Sequence, residues 1–253
     1  MNNYASRYAE LYDLFYADKP YADEARFVHE CIREFAPHPA AEILELACGT
    51  GRHALELKNF GYQITATDRS PDMLRVARHR LGENGTTFVA SDMRDLQLPA
   101  REYDAAVCLF DSIGYLQTDD AIHDAFGKIR DHLRENGLLI FEFWHAPAML
   151  ARYSPTRRRS WKTSDGEIVR TSATALDRVR RLARVHYTVE EIRNDATRAT
   201  FHEEHINRFF SVDEMKALVS EGGFEPIKFF AGFDRLTPIT DEIWHIVTVA
   251  RKK

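Results

Sequence analysis

Residues 43–57 read ILELACGTGRHALEL, an apolar run that ends in small residues and then resumes at helical spacing. Short apolar runs bounded by turn residues are strands, and apolar residues three and four apart form the buried stripe of a helix. The stretch therefore reads strand, tight turn, helix. Gly49 and Gly51 admit backbone conformations and close approaches that a Cβ blocks. Two features exceed what a plain turn needs. Glu45 puts a carboxylate inside an apolar strand, where an unpaired charge is costly. The turn also lacks bulky side chains at the place where open α/β sheets bind ligands, outside the carboxyl ends of the strands. The dinucleotide fingerprint fails here, because its first and third glycines would fall on Ala47 and Arg52.

Working outward, the same alternation continues to about residue 145. YQITATD, TTFVAS, YDAAVCLF and LLIFEFW read as further strands. SPDMLRVARHRLG is a helix with Ser70 as N-cap and Gly82 as C-cap, and TDDAIHDAFGKIRDHLRENG is a helix with a glycine stop. Such alternation predicts an α/β, doubly wound, mostly parallel sheet with helices on both faces. After His145 the pattern changes. Three β-rich runs between about 166 and 209 predict an antiparallel insertion, SVDEMKALVSEGG returns as a helix, and FEPIKFF and DEIWHIVTVA close as strands. The expected division is a helical N-terminal lid (1–36), a main domain (37–150 and 210–253) and a β insertion (151–209) over the substrate or between two copies.

Hydrophobic content of 44% with 29% charged residues is globular composition over 253 residues, enough for a sizeable core. The net charge of −5 gives no general attraction to nucleic acid or to an anionic membrane. Three cysteines, none in a CxxC pair, argue for a reducing compartment, and the start lacks the basic and apolar regions of a signal peptide. A cytoplasmic location is the expectation.

Two more carboxylates follow strand ends. Asp68 closes the second strand, where an acidic side chain can accept both hydroxyls of a ribose; Asp92 follows the third, where a carboxylate beside Met93 can meet an adenine edge. Each alone also suits a capping or surface role, but three acidic or glycine-rich strand ends in succession point to one ligand. Glu45 then has a use, orienting the turn and balancing a positive amino or sulfonium group. The constellation ELACGTG, Asp68 and SDM resembles the class I S-adenosylmethionine-dependent methyltransferases over roughly residues 40–145. That resemblance implies a seven-stranded Rossmann-like sheet whose last hairpin is antiparallel. It also implies cofactor contacts from Tyr12, Tyr21, Glu45, Ala47, Gly49, Gly51, Asp68, Met73, Asp92, Met93 and Leu109.

AELYDLFY, SIGYL, FEFW, VHYTV and EEHINRFFSVDEMKALVSEGGF further resemble the N,N-dimethyltransferases of nucleotide-linked deoxyamino sugars. That implies a small-molecule amine acceptor, with Tyr12 and Tyr21 closing over the methionine end of the cofactor and Tyr4 reaching the acceptor. Trp144 and His145, at the end of the fifth strand, lie where this fold seats substrates, and Arg235 is a candidate for contacting a substrate phosphate. Tyr115 stands where several members carry a histidine. Asp111 suits either holding a cationic amine or capping the next turn, so Tyr12, Asp111 and Tyr115 are positioning candidates. A glycine or sarcosine methyltransferase and a non-catalytic S-adenosylmethionine-binding protein are the alternatives. No metal is expected: HEEH (residues 202–205) reads as strand, which turns its two histidines to opposite faces. RRRSWK (residues 157–162) reads as a solvated loop, with a diphosphate grip as the other reading. The β-rich runs could also pair two copies, since exposed sheet edges associate readily.

Overall fold

The computed structural model describes residues 6–82, 85–98, 102–193 and 196–253. In chain order its elements are α1 (Ser6–Phe15), α2 (Tyr21–Phe35), β1 (Glu42–Glu45), α3 (Arg52–Asn59), β2 (Gln63–Asp68), α4 (Pro71–Leu81), β3 (Thr86–Ala90) and β4 (Tyr103–Cys108). Then follow α5 (Asp119–His132), β5 (Leu133–Trp144), α6 (Ala146–Arg152), β6 (Thr156–Thr163), β7 (Gly166–Asp177), β8 (Leu182–Arg193) and β9 (Ala196–Arg208). The chain closes with α7 (Val212–Glu221), β10 (Phe224–Ala231) and β11 (His245–Lys252).

The main sheet has seven strands in the order β10-β11-β5-β4-β1-β2-β3. Its pairs are parallel from β3 through β5, while β11 runs antiparallel to both β5 and β10. Strand order reverses between β1 and β4, which places a crevice at their carboxyl ends. Alternate residues feed opposite cores, as a strand's two-residue period requires. Ile43, Ala105 and Val107 face α2, α3 and α4, whereas Leu44, Ala106 and Cys108 face α5 and α7. Caps mark the helix starts: Ser70 Oγ accepts from Met73 N, Thr118 Oγ1 from Ala121 N, and Ser211 forms a capping box with Glu214.

The second sheet is antiparallel, with the order β6-β7-β8-β9. It contains one strand more than the sequence pattern predicts. RRRSWK is not a loop but most of β6, because it pairs with β7 from Arg157–Ser172 to Lys162–Glu167 and Trp161 packs on Phe15 of α1 (5.0 Å between centroids), while the arginines stay in solvent. The sheet docks α1 through Ile168 and Val189 against Tyr8, Leu11 and Phe15. It returns to the main sheet where Phe210 N donates to Trp144 O and Ala146 N donates to Phe210 O. Two more boundaries differ from the sequence reading. α5 stops at His132 rather than near Gly137, since β5 already begins at Leu133 and bulges between the β4–β5 pairs Tyr103–Leu133 and Ala105–Leu138, with Asn136 left-handed (φ 62°). The short helix α6 follows β5 with no sequence signal of its own.

Asp104 fixes where β1 begins. Its buried carboxylate accepts from Ala41 N (2.7 Å) and Glu42 N (2.9 Å) and pairs with Arg134, which sets β1 in register with β4. Asp104→Ala leaves these amides without their acceptor. The expected loss is about 2 kcal/mol, or a Tm drop of about 4–8 °C, and an unchanged melting curve would show that the carboxylate does not hold the strand.

Candidate active site

The carboxyl ends of β1 to β5 open on a cavity of about 590 Å³, roofed by α1 and by the inward face of β8 and β9. The glycine turn forms its floor. Ala47, Gly49 and Gly51 all have positive φ (50°, 56° and 74°), a conformation that glycine takes freely and alanine at a cost of about 1–2 kcal/mol. The turn is held from below by Cys48 N donating to Thr67 O, and from the side by Gly49 N donating to Asp68 Oδ2 (2.8 Å). From above, Thr50 Oγ1 donates to Asp13 of α1 (2.7 Å), which also pairs with Arg80 of α4. The two glycines differ in use. A Cβ on Gly49 would meet nothing within 4 Å and would project into free space. One on Gly51 would lie 2.7 Å from Leu81 Cδ1 and 3.1 Å from Ala77 Cβ, so Gly51 serves the packing of α4 and does not line the cavity.

Of the expected cofactor residues, Tyr12, Tyr21, Glu45, Ala47, Gly49, Asp68, Met73, Asp92, Met93 and Leu109 line this one cavity. Glu45 is 3% exposed, and its Oε2 has no hydrogen-bond partner. Burial, and then the nearby Asp68, push its carboxyl up to about 8. Asp68 is raised too, by burial, although Ser70 N and Gly49 N each donate to it and oppose the shift. Each of its oxygens keeps a second lone pair for another donor. Asp92 is gripped by Arg94 through two side-chain bonds (2.9 and 2.6 Å), which together hold its carboxyl below the usual range. Arg94 shares the cavity wall and was absent from the sequence reading.

The acceptor candidates divide. Trp144 and Tyr115 reach the cavity. Asp111 does not, which corrects the reading that it faces an amine. It is 1% exposed; its Oδ1 accepts from Trp144 N (2.8 Å) and its Oδ2 from Asn207 Nδ2 (2.9 Å). The cause is the backbone, since Phe110 and Asp111 are both left-handed (φ 58° and 55°) and turn the carboxylate under the chain. His145 is buried, with Nδ1 on Ile243 O (3.0 Å), outside the cavity. Arg235 is likewise elsewhere, pairing with Glu30 and Glu34 of α2 and lying over the rings of Phe27 and Phe230. Tyr4 lies outside the described residues.

Sequence reasoning missed Tyr187, His205 and Asn207, which complete the roof. The signal was present in the period of two along β9, where Glu203, His205 and Asn207 share the buried face. The HEEH spacing singles out His205 only as a candidate metal ligand. Among the described residues no cluster of three His, Cys, Asp or Glu side chains could hold a metal, and no helix is long and apolar enough to cross a membrane.

A methyltransferase-domain family model matches residues 43–137, the span from β1 to the start of β5. The chain is 35% identical over 202 residues to the dTDP-3-amino-3,4,6-trideoxy-alpha-D-glucopyranose N,N-dimethyltransferase of Streptomyces venezuelae, covering 79% of this chain and 76% of that one. It is 27% identical over 209 residues to a glycine/sarcosine N-methyltransferase of Parasynechococcus marenigrum, with 81% of this chain and 70% of that one covered. Among solved structures, the S-adenosylmethionine-bound amino pentose methyltransferase of calicheamicin biosynthesis from Micromonospora echinaspora superposes with a TM-score of 0.77. That pair is 26% identical, with 96% and 97% of the two chains covered. The chain belongs to the S-adenosylmethionine-dependent methyltransferases.

The two glycines separate packing from binding. Gly49→Val is expected to stay folded, at a cost of about 2 kcal/mol for its left-handed backbone, and to weaken S-adenosylmethionine binding by about 100-fold or more. Gly51→Val is expected to lower the melting temperature more steeply, because its side chain strikes α4. Calorimetry and thermal melts on both variants check this, and normal binding by folded Gly49→Val would make the turn purely structural.

Proposed function

We propose that the chain transfers a methyl group from S-adenosylmethionine to the amine of a small molecule, a nucleotide-linked deoxyamino sugar. The observation that carries it is the pairing, in one cavity, of a buried carboxyl lacking a partner with a turn whose Gly49 leaves room for a ligand. The cofactor presents a cationic amino group and a sulfonium, which is what the free Glu45 oxygen would accept.

On this reading Glu45, Ala47 and Gly49 hold the methionine end beneath Tyr12 and Tyr21. Arg52, at the start of α3 and over the Tyr21 ring (4.6 Å), faces the methionine carboxylate. Asp68 accepts the ribose hydroxyls with its remaining lone pairs, while Asp92, Met93, Met73 and Leu109 enclose the adenine. Bound there, the cofactor supplies an electrophilic methyl group. The protein's part is to exclude water, fix the acceptor in line and receive the amine without its proton. The aromatic wall of Tyr8, Tyr12, Tyr16 and Tyr187 does the first, with α1 as a lid pinned by Asp13 and by Arg7 to Glu191 (2.6 Å). The acceptor lies between Trp144, Tyr115 and the β8–β9 face. No metal has a part in this reading. A contact between two copies would use the exposed edge of the inserted sheet.

Likeness to the dTDP-amino-sugar enzyme covers most of both chains and supports a sugar amine; likeness to the glycine/sarcosine enzyme is the observation that favours a second reading. An assay with labelled S-adenosylmethionine against amino-sugar nucleotides, glycine and sarcosine decides between them. The sugar amines are expected to react. An ammonium has no lone pair, so kcat/KM for the acceptor is expected to rise about tenfold per pH unit below the amine's pKa and then level off. Turnover of glycine or sarcosine alone would move the assignment to the second reading, and transfer to hydroxyls alone would end both.

A further inference from the structure

β9 turns three alternate residues, Glu203, His205 and Asn207, inward and buries them, and His205 and Asn207 line the roof above the acceptor end of the cavity. Buried polar groups persist where they find partners. Asn207 finds Asp111. His205 reaches across to the turn after β4, where its Nδ1 lies 2.6 Å from the Tyr115 hydroxyl. On the other side of the ring, Nε2 lies 3.9 Å from the Glu203 carboxylate. At 3.9 Å that contact is electrostatic and longer than a hydrogen bond, and it favours a ring proton on Nε2, toward the carboxylate, which leaves Nδ1 to accept the Tyr115 O–H.

The surroundings keep the ring neutral. Tyr8 of α1 and Tyr187 of β8 pack on it at 5.9 and 5.3 Å between centroids. Burial first, then the positive charges of Arg170 on β7 and Arg69 after β2, push the His205 imidazole down to about 4. Arg170 is itself caged among Phe15, Tyr16, Trp161 and Tyr187, so this positive charge is built into the roof. A protonated ring would reverse the bond. Nδ1–H would then donate to the phenol oxygen, and the hydroxyl proton would turn to the cavity, where it would occupy the lone pair that an amine needs for attack.

We propose that Tyr115 and His205 act as one unit that positions the acceptor. With its proton held by His205 Nδ1, the Tyr115 oxygen accepts an N–H from the neutral amine and turns the amine's lone pair toward the methyl-donor end of the cavity. This rests on the amine reading above. One accepted N–H orients a primary amine and, after one methylation, a secondary amine equally, because each still has an N–H to donate. Both are positioning residues; neither stores the substrate's proton, for a ring this reluctant to ionise is a poor base toward an ammonium.

Two measurements test the unit. Nitrogen-15 NMR of the histidine rings, on free and S-adenosylmethionine-loaded protein, needs no acceptor. It is expected to show His205 neutral at pH 6 with an accepting Nδ1 that shifts in Tyr115→Phe; a protonated Nδ1 overturns the proposal. In turnover, Tyr115→Phe and His205→Leu are each expected to lower kcat by about 10- to 100-fold, with S-adenosylmethionine affinity within about twofold of the parent. The double variant is expected to lose no more than either single one, as groups acting as a unit do. His205→Asn, which can return an accepting oxygen near the Nδ1 position, is expected to recover most of the rate. Losses that multiply, or His205→Asn no better than His205→Leu, overturn the proposal. A parent enzyme that methylates only hydroxyl acceptors would refute the amine reading instead, whatever the variants do.

Discussion

A single carboxylate, Asp68, joins the pieces from which the cavity is made. It stands at the end of β2, takes Gly49 N from the turn after β1 and Ser70 N from the start of α4, and still opens on the cavity. That bond helps hold three alternate residues, Ala47, Gly49 and Gly51, left-handed against the cost at Ala47. The same side chain raises the proton affinity of Glu45 across the turn. Shape and charge at the floor of the site therefore meet at Asp68: burial raises both carboxyl groups, and the nearness of Asp68 adds to the shift of Glu45.

A second exchange of the same kind holds the far wall. Glu142 of β5 accepts from Phe110 N (2.7 Å) in the turn after β4, and Asp111 of that turn accepts from Trp144 N (2.8 Å) on β5. These reciprocal bonds fix two consecutive left-handed residues and aim Leu109, Phe110 and Tyr115 into the cavity. Burial alone would raise the Glu142 carboxyl. His245 (2.7 Å), Lys19 and Phe110 N outweigh it and hold that group below the usual range, so it is a fixed anion. Asp111, buried without a cation, is pushed the other way. Asn207 then ties the same turn to β9, which is how the inserted sheet is brought over the acceptor end and His205 to Tyr115.

The sheet could be read from the sequence because its signals are local. Period-two strands, Ser70 and Ser211 as caps, and the glycine turn each declare themselves within about a dozen residues. The floor of the site was legible for the same reason, since Glu45, Gly49, Asp68 and Asp92 each end or follow a strand. What was not legible depends on partners far along the chain. β6 carries arginines where an apolar alternation would announce a strand, and its pairing with β7 along its whole length, with Trp161 meeting α1, makes it one. Asp111 looks toward a substrate until two positive φ angles turn it beneath the chain. Arg235 looks free until α2 supplies Glu30 and Glu34. His205 needed the pairing of β9 with β8, and the placement of both over the turn after β4, before its neighbour could be known.

The most direct measurement is the count of protons that accompany S-adenosylmethionine binding, by calorimetry at pH 7 in buffers of different ionisation enthalpy. A Glu45 carboxyl at about 8 in the free protein is mostly neutral at that pH, and a cationic ligand against its open oxygen would ionise it. The account predicts release of most of one proton per site, abolished in Glu45→Gln together with about 10-fold or more of the affinity. Binding with no proton released, and with the same affinity in Glu45→Gln, would contradict it.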